Sequence, residues 1–326
     1  MNFSAIPITI VFIWLCYVPL SWCADEHVYG AKWEPLDGKI LHGAGQDPAS
    51  FFEYGKALSP NRPLLYMEYL NLAADDENTL SEKLKSYSSG DPFLIPQIGI
   101  SFSSIETQVI EGLKDPLIRK IALCLKGTQS PVFIRPGYEF NGSWNNYEPR
   151  AFIRAYQKIV DIFRQEKADN AAFVWCFAAD GEEDFMSYYP GDAYADWWGI
   201  DLFSADHLFE DKTVSFLDAA HQHRKPVMIG ESTPRETGTL NGSGSWDQWF
   251  KPYFQFIRSH PQIKAFCYIN WNWPYWADLY QTDWHHWGDA RIQMNQDVLS
   301  AYREEMNRPC YLHASKREVI LDQLNR

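Results

Sequence analysis

Short apolar runs recur along the chain. Each closes in polar or glycine-rich residues, and helix-like segments lie between them. The runs are GKILHGAG (38–45), RPLLYMEY (62–69), PFLIPQIGIS (92–101), PVFIRPGYEF (131–140), AAFVWCFAAD (171–180), ADWWGIDLFS (195–204), KPVMIGEST (225–233) and IKAFCYINWNW (263–273). The clearest helical segment is 148–168, where Phe152, Tyr156, Ile159 and Phe163 recur at three- and four-residue spacing among Arg, Lys and Gln. Segments 213–224 and 245–260 behave similarly, with Pro252 expected to interrupt or kink the second. Eight strands alternating with helices predict parallel βαβ units. Eight such units imply an α/β fold closed as a (β/α)8 TIM barrel, which typically takes about 250 residues. An open doubly wound sheet lacks support, because no G-x-G-x-x-G follows the first run. Segment 310–326 reads as a last helix closing the barrel, and no linker marks a second domain.

Composition narrows the class. The chain has 326 residues, 46% hydrophobic and 22% charged, enough for one large core. Its formal net charge of −13 sets it against phosphate backbones, so nucleic acid is not an expected partner. Aromatic residues make up 16%, with 14 Trp, and flat aromatic surfaces suit the C–H faces of sugars. Residues 1–24 carry no charge and have the apolar centre of a secretory signal peptide, with cleavage after Cys23 or Ala24. The domain expected is therefore 25–326, secreted or periplasmic, acting as a monomer with no membrane contact once the leader is removed. Trp22 before Cys23 argues against a lipoprotein signal. Cys176 and Cys267 read as small buried hydrophobes, and no cysteine pair has zinc-site spacing.

Two acids end apolar runs. Glu139 closes the fourth and Glu231 the seventh. Function in such barrels sits at the C-terminal strand ends. Strand alternation groups Phe133, Arg135, Gly137 and Glu139 on one face, and Val227, Ile229 and Glu231 on another. Both carboxylates are then expected in one barrel mouth. Two carboxyl groups about 5–5.5 Å apart carry out retaining glycoside hydrolysis, one protonating the leaving oxygen and the other attacking the anomeric carbon. No cofactor is needed. The His285, His286 and Asp289 cluster lacks a recognisable third-ligand spacing, so no metal is expected.

IRPGYEFNGSW (134–144) resembles the acid/base segment of glycoside hydrolase family 26, the family of many β-mannanases and some β-1,3-xylanases and lichenases. YYPGDAYADWWGIDLF (188–203) resembles its sixth-strand region and PVMIGEST (226–233) its nucleophile segment. The likeness covers roughly 40–280. It implies Glu139 as acid/base, Glu231 as nucleophile, and a neutral β-linked polysaccharide, mannan first, as substrate. It also implies Arg135 beside the carboxylates, Trp144 at the sugar cleft and Asp201 accepting from sugar hydroxyls. Two positions depart from the family pattern. Tyr138 replaces the usual His before the acid/base, and Phe203 replaces a Tyr that bonds the nucleophile. Tyr138 or Tyr268 is a candidate source of that hydroxyl. Trp271 is expected as the floor beneath the reacting sugar, with Trp273 second. Trp175, His42 and Gln97 are further candidates for sugar contact. A β-1,3-xylanase, a lichenase, a transglycosylase and a non-catalytic polysaccharide-binding relative are the other readings of the same residues.

Overall fold

The computed structural model of the chain describes residues 28–75, 79, 82–83 and 92–325. The leader expected at 1–24 lies outside them. Eight parallel strands form the sheet: β1 (Ile40–Gly45), β2 (Leu65–Asn71), β3 (Ile95–Ser101), β4 (Val132–Pro136), β5 (Ala171–Ala178), β6 (Trp197–Leu202), β7 (Val227–Ser232) and β8 (Ile263–Ile269). Each pairs with the next, and β1 pairs with both β8 and β2, so the sheet closes into a (β/α)8 barrel. Seven of the eight strands fall inside one of the apolar runs, and β2 continues two residues past the end of the second.

Two layers of side chains meet at each strand, since parallel strands are buried on both faces. Leu65, Met67, Phe133, Val174, Trp197, Met228 and Cys267 share one cluster that fills the barrel. Their alternate neighbours Ile98, Ile134, Trp175, Ile200, Ile229 and Phe266 share another with the surrounding helices. Helix Pro149–Gln165 shows how the outer layer forms. The Glu148 side chain caps it by accepting from the Ala151 N–H at 2.8 Å, and Pro149 sits in its first turn. Phe152, Tyr156, Ile159 and Phe163 are all buried on its inner face.

Three local expectations change. The 245–260 segment is not one kinked helix. A π-turn spans Trp246–Phe250, and Pro252 then sits in the first turn of helix Lys251–Ser259, where its missing N–H costs nothing. Segment 310–326 is not one helix either. Tyr311–Leu312 adds a parallel strand, β9, beside Ile40 and Leu41, and only Arg317–Leu321 is helical. Leu324 then bridges to Pro35, so both ends of the described chain seal the barrel floor.

The third change bears on the site. Val227 and Ile229 face the helices, not the barrel interior. Ile200 pairs with Ile229 and Asp201 with Glu231, which leaves Gly230 as an extra residue in β7. This β-bulge reverses the parity of the strand and turns Glu231 inward. Only glycine fits there: a Cβ on Gly230 would stand 2.7 Å from both Arg135 Nη1 and Asp201 Oδ1. We predict that Gly230→Ala lowers stability by about 1–3 kcal/mol, the usual cost of overpacking a tight interior. Urea unfolding of the variant beside the parent chain checks it, and an unchanged midpoint would refute the bulge's role.

Candidate active site

The Arg135 guanidinium organises the barrel mouth. It is fully buried. Its Nη2 donates to Glu231 Oε1 at 2.7 Å, and its Nη1 donates to both oxygens of Asp201 at 3.2 and 3.1 Å. The Cys176 thiol donates to Asp201 Oδ1 at 3.3 Å. The strand register explains the meeting: Arg135, Cys176 and Asp201 take interior positions on β4, β5 and β6, and the bulge brings Glu231 to them from β7. Burial opposes the guanidinium charge, but Asp201, Cys176 and Glu231 outweigh it and hold Arg135 protonated. Burial also lifts the Asp201 carboxyl, against the pull of Arg135, to about 8.

Two tyrosines enclose the same cation. The Tyr138 ring lies 5.0 Å and the Tyr69 ring 5.8 Å from the guanidinium carbon. The Tyr69 hydroxyl accepts from Nη2 at 3.4 Å. Both rings press on β3 where it carries Gly99, whose added Cβ would meet Tyr138 at 2.9 Å and Tyr69 at 3.0 Å. Tyr69 was not among the residues singled out by sequence. Its signal was its position at the end of the second run, the same signal that marked Glu139 and Glu231.

Glu139 reaches the mouth by another route. β4 stops at Pro136, so alternation does not extend to Glu139. The chain turns through Gly137 (φ 59°) and Glu139 itself (φ 53°), both left-handed. A non-glycine residue there is strained by about 1 kcal/mol or more. The turn is held by Asn145, whose amide donates to the Glu139 carbonyl at 3.0 Å. The Glu139 carboxylate accepts from the Trp144 indole N–H at 2.8 Å. Glu139 makes no ion pair with Arg135. Burial, then Glu231 and Asp201, push its pKa well above the usual carboxylate range, while Trp144 and Arg135 pull weakly the other way.

An aromatic wall lines the β6–β8 side. Phe203 packs 5.4 Å from Trp287, and Trp273 packs 5.1 Å from Trp271. The Trp273 indole donates to Thr233 Oγ1 at 2.9 Å, two residues beyond Glu231. The Trp271 indole donates to Asp47 Oδ2 at 2.6 Å and its ring faces the barrel interior.

Other expected sugar contacts lie elsewhere. His42 faces the helices, bonded to Tyr54 at 2.7 Å and His313 at 2.9 Å. Trp175 also points outward, stacked 4.4 Å from Phe140. Gln97 faces inward but sits below the mouth, fully buried, donating to the Gly230 carbonyl at 3.1 Å; it supports the bulge. Asp201 and Arg135 are fully buried and paired with each other, and Arg135 also pairs with Glu231. Tyr268 lies in the outer layer and bonds to the Ala290 carbonyl, out of reach of Glu231. His285 pairs with Asp278 and Asp289 with Arg291, so that cluster does not converge. Asn141, which opens an Asn-Gly-Ser glycosylation sequon, is buried with its amide bonded to the Ala178 and Glu182 carbonyls, which leaves no room for a glycan.

One proton readout follows. Trp144 donates to the ionised form of Glu139, so losing that donor raises the pKa further. An acid that must be protonated to act then stays competent to higher pH. Trp144→Phe should move the basic limb of the kcat/KM profile upward; a limb that moves down or stays put contradicts the assignment.

The chain matches the family model Glycosyl hydrolase family 26 over residues 93–241. It is 28% identical to a β-1,3-xylanase of an Alcaligenes species across 91% of this chain and 69% of the relative. A β-1,3-xylanase from a Vibrio species aligns equally, at 28% across 91% of this chain and 71% of the relative. The solved structure of a β-mannanase from Bacteroides ovatus shares the fold with a TM-score of 0.63 at 15% identity, covering 85% of this chain and 91% of that one. A closed parallel barrel, one glutamate on the turn after its fourth strand, another in its seventh and these likenesses together make the chain a glycoside hydrolase similar to those of family 26.

Proposed function

We propose that this enzyme is a retaining endo-β-glycosidase acting on a neutral β-linked polysaccharide by double displacement. The observation that carries the reading is the asymmetry of the two glutamates. Glu231 accepts from the buried cation at 2.7 Å, while Glu139 lies outside that ion pair, where burial and the neighbouring carboxylates lift its pKa well above the usual carboxylate range. Glu231 attacks the anomeric carbon as Glu139 protonates the departing oxygen. Esterification removes the negative charge of Glu231, one of the causes that raised the Glu139 pKa. Glu139 then becomes a competent base and takes a proton from the incoming water.

Mannan is the substrate that the motifs suggest first. The relatives aligned across nine-tenths of this chain favour a different polymer, since both are named β-1,3-xylanases, whereas the likeness to mannanase structures is one of fold. β-1,3-Xylan therefore stands beside mannan as a candidate. The apolar leader of residues 1–24 makes export part of the same reading. An acidic surface suits a neutral polymer better than an anionic one.

Reducing-end release by the chain from residue 25 on a panel of neutral β-glycans tests the substrate, with Glu139→Ala and Glu231→Ala alongside. Release on one glycan that vanishes in both variants is expected. Proton NMR of the first product tests the mechanism. The β anomer should appear before mutarotation, and an initial α anomer would make the enzyme inverting.

A further inference from the structure

Outside the barrel, a row of hydrogen bonds joins two helices, β1 and the segment after β9. Tyr302 on helix Gln296–Met306 meets Tyr54 on helix Pro48–Ala57, hydroxyl to hydroxyl at 2.8 Å. The Tyr54 hydroxyl lies 2.7 Å from Nε2 of His42 on β1. His42 Nδ1 lies 2.9 Å from Nδ1 of His313, the residue that follows β9. His313 Nε2 lies 2.8 Å from the Met306 carbonyl oxygen. His42, Tyr54 and Tyr302 are fully buried and His313 partly so.

The last acceptor in the row fixes every proton before it. A carbonyl only accepts, so His313 carries its proton on Nε2 and, when neutral, offers Nδ1 as an acceptor. His42 then donates from Nδ1, and its Nε2 accepts from the Tyr54 hydroxyl. Tyr54 in turn accepts from Tyr302. Every group is satisfied with both rings neutral.

One added proton breaks this order. A charged His313 donates from both nitrogens, so His42 must accept at Nδ1 and carry its own proton on Nε2. Tyr54 must then donate to Tyr302, whose proton loses its one acceptor among the described residues. An unpaired buried donor is costly. The surroundings give the charge no counterion. Phe266 of β8 lies against the His42 ring at 5.2 Å, and Tyr268, stacked on Tyr54, is bonded to the Ala290 carbonyl. Glu305, the buried acid of helix Gln296–Met306, is taken by Arg258, Arg308 and the Tyr311 hydroxyl of β9. Lys39 and Arg303 donate to the Pro309 and Ala57 carbonyls. Burial lowers the pKa of both imidazoles, and for His42 the facing ring adds to it.

The pair also sits at a slender joint. β9 is two residues long and pairs only with Ile40 and Leu41. Just beyond it the Ala314 N–H donates to the Arg62 carbonyl.

We propose that the His42–His313 pair is a pH-sensitive clasp, which fastens β9 and the segment after it to the barrel at neutral pH and lets that segment open as the pH falls. His313 takes a proton more readily once the segment is open than while it is closed. The clasp therefore holds fully above the ordinary histidine pKa of about 6.5 and weakens as the pH drops below it.

Backbone hydrogen exchange of the whole chain, read by mass spectrometry at pH 7 and pH 5 and corrected for the intrinsic pH dependence of exchange, tests the clasp. Protection of residues 310–316 should fall by about tenfold or more relative to β4–β6, because each proton taken up on opening favours it about tenfold per pH unit below the free histidine pKa. His313→Gln keeps an amide that can donate to Met306 and cannot titrate, so it should remove that response. Nitrogen NMR of the histidine rings reads the unmodified chain directly: at pH 7 His42 should carry its proton on Nδ1 and His313 on Nε2. Protection that ignores pH in the parent chain, a response that survives His313→Gln, or the opposite tautomers would overturn the clasp.

Discussion

One buried guanidinium holds three strands of the barrel to a common point. Arg135 on β4 binds Asp201 on β6 and Glu231 on β7, the first two fully buried and Glu231 nearly so. Removing one member of such a set leaves a buried charge uncompensated, at a typical cost of about 3–5 kcal/mol. The surrounding sequence is arranged for that cation. Gly230 gives it room, Gly99 lets two tyrosine rings lie on it, and Gln97 supports the bulge from beneath. Conformational precision is the return for this cost, because Glu231 is fixed by a side chain that Asp201 and two tyrosine rings hold in place.

The same cation separates the two acids electrostatically. Three carboxyl groups share one positive charge, so they do not all ionise together. Glu231 has the short charge-assisted contact. Glu139 lies on a left-handed turn beyond the end of β4, outside the ion pair, with only an indole N–H as donor. Burial and the neighbouring carboxylates lift the Glu139 carboxyl well above the usual range, the direction that the acid of the proposed reaction requires. Glu231 sits on a strand, and Glu139 sits on a turn beside an exposed tryptophan.

Much of this was legible before the structure. The eight apolar runs mark the eight strands, with only β2 overrunning its stretch, because a barrel strand buried on both faces reads as a continuous apolar stretch. For the same reason the runs did not say which face was which. His42 and Trp175 look as eligible as Gln97, yet they lie on the helix side and Gln97 lies inside. Alternation reached Arg135, which is on regular strand. It failed at Glu231 because a bulge inserts a residue that pattern counting does not register, and it failed at Glu139 because the strand had already ended. Glycine was the visible clue in both cases, at 230 and 137. Tyr69 was passed over because a strand-end tyrosine reads equally well as core. Phe203, which lacks the hydroxyl expected at its place, packs on Trp287 as part of an apolar wall.

The central claim is that Glu231 is the nucleophile and Glu139 the acid/base, and azide rescue tests it most directly. Azide is a small anion that occupies the space of a missing carboxylate. With an activated aryl β-glycoside of the sugar that the enzyme cleaves, Glu231→Ala plus azide should yield the α-glycosyl azide, because azide replaces the enzyme's own attack. Glu139→Ala plus azide should yield the β-glycosyl azide, because azide then intercepts the covalent intermediate formed on Glu231. Exchanged products would reverse the two roles, and no azide adduct from either variant would contradict the double displacement itself.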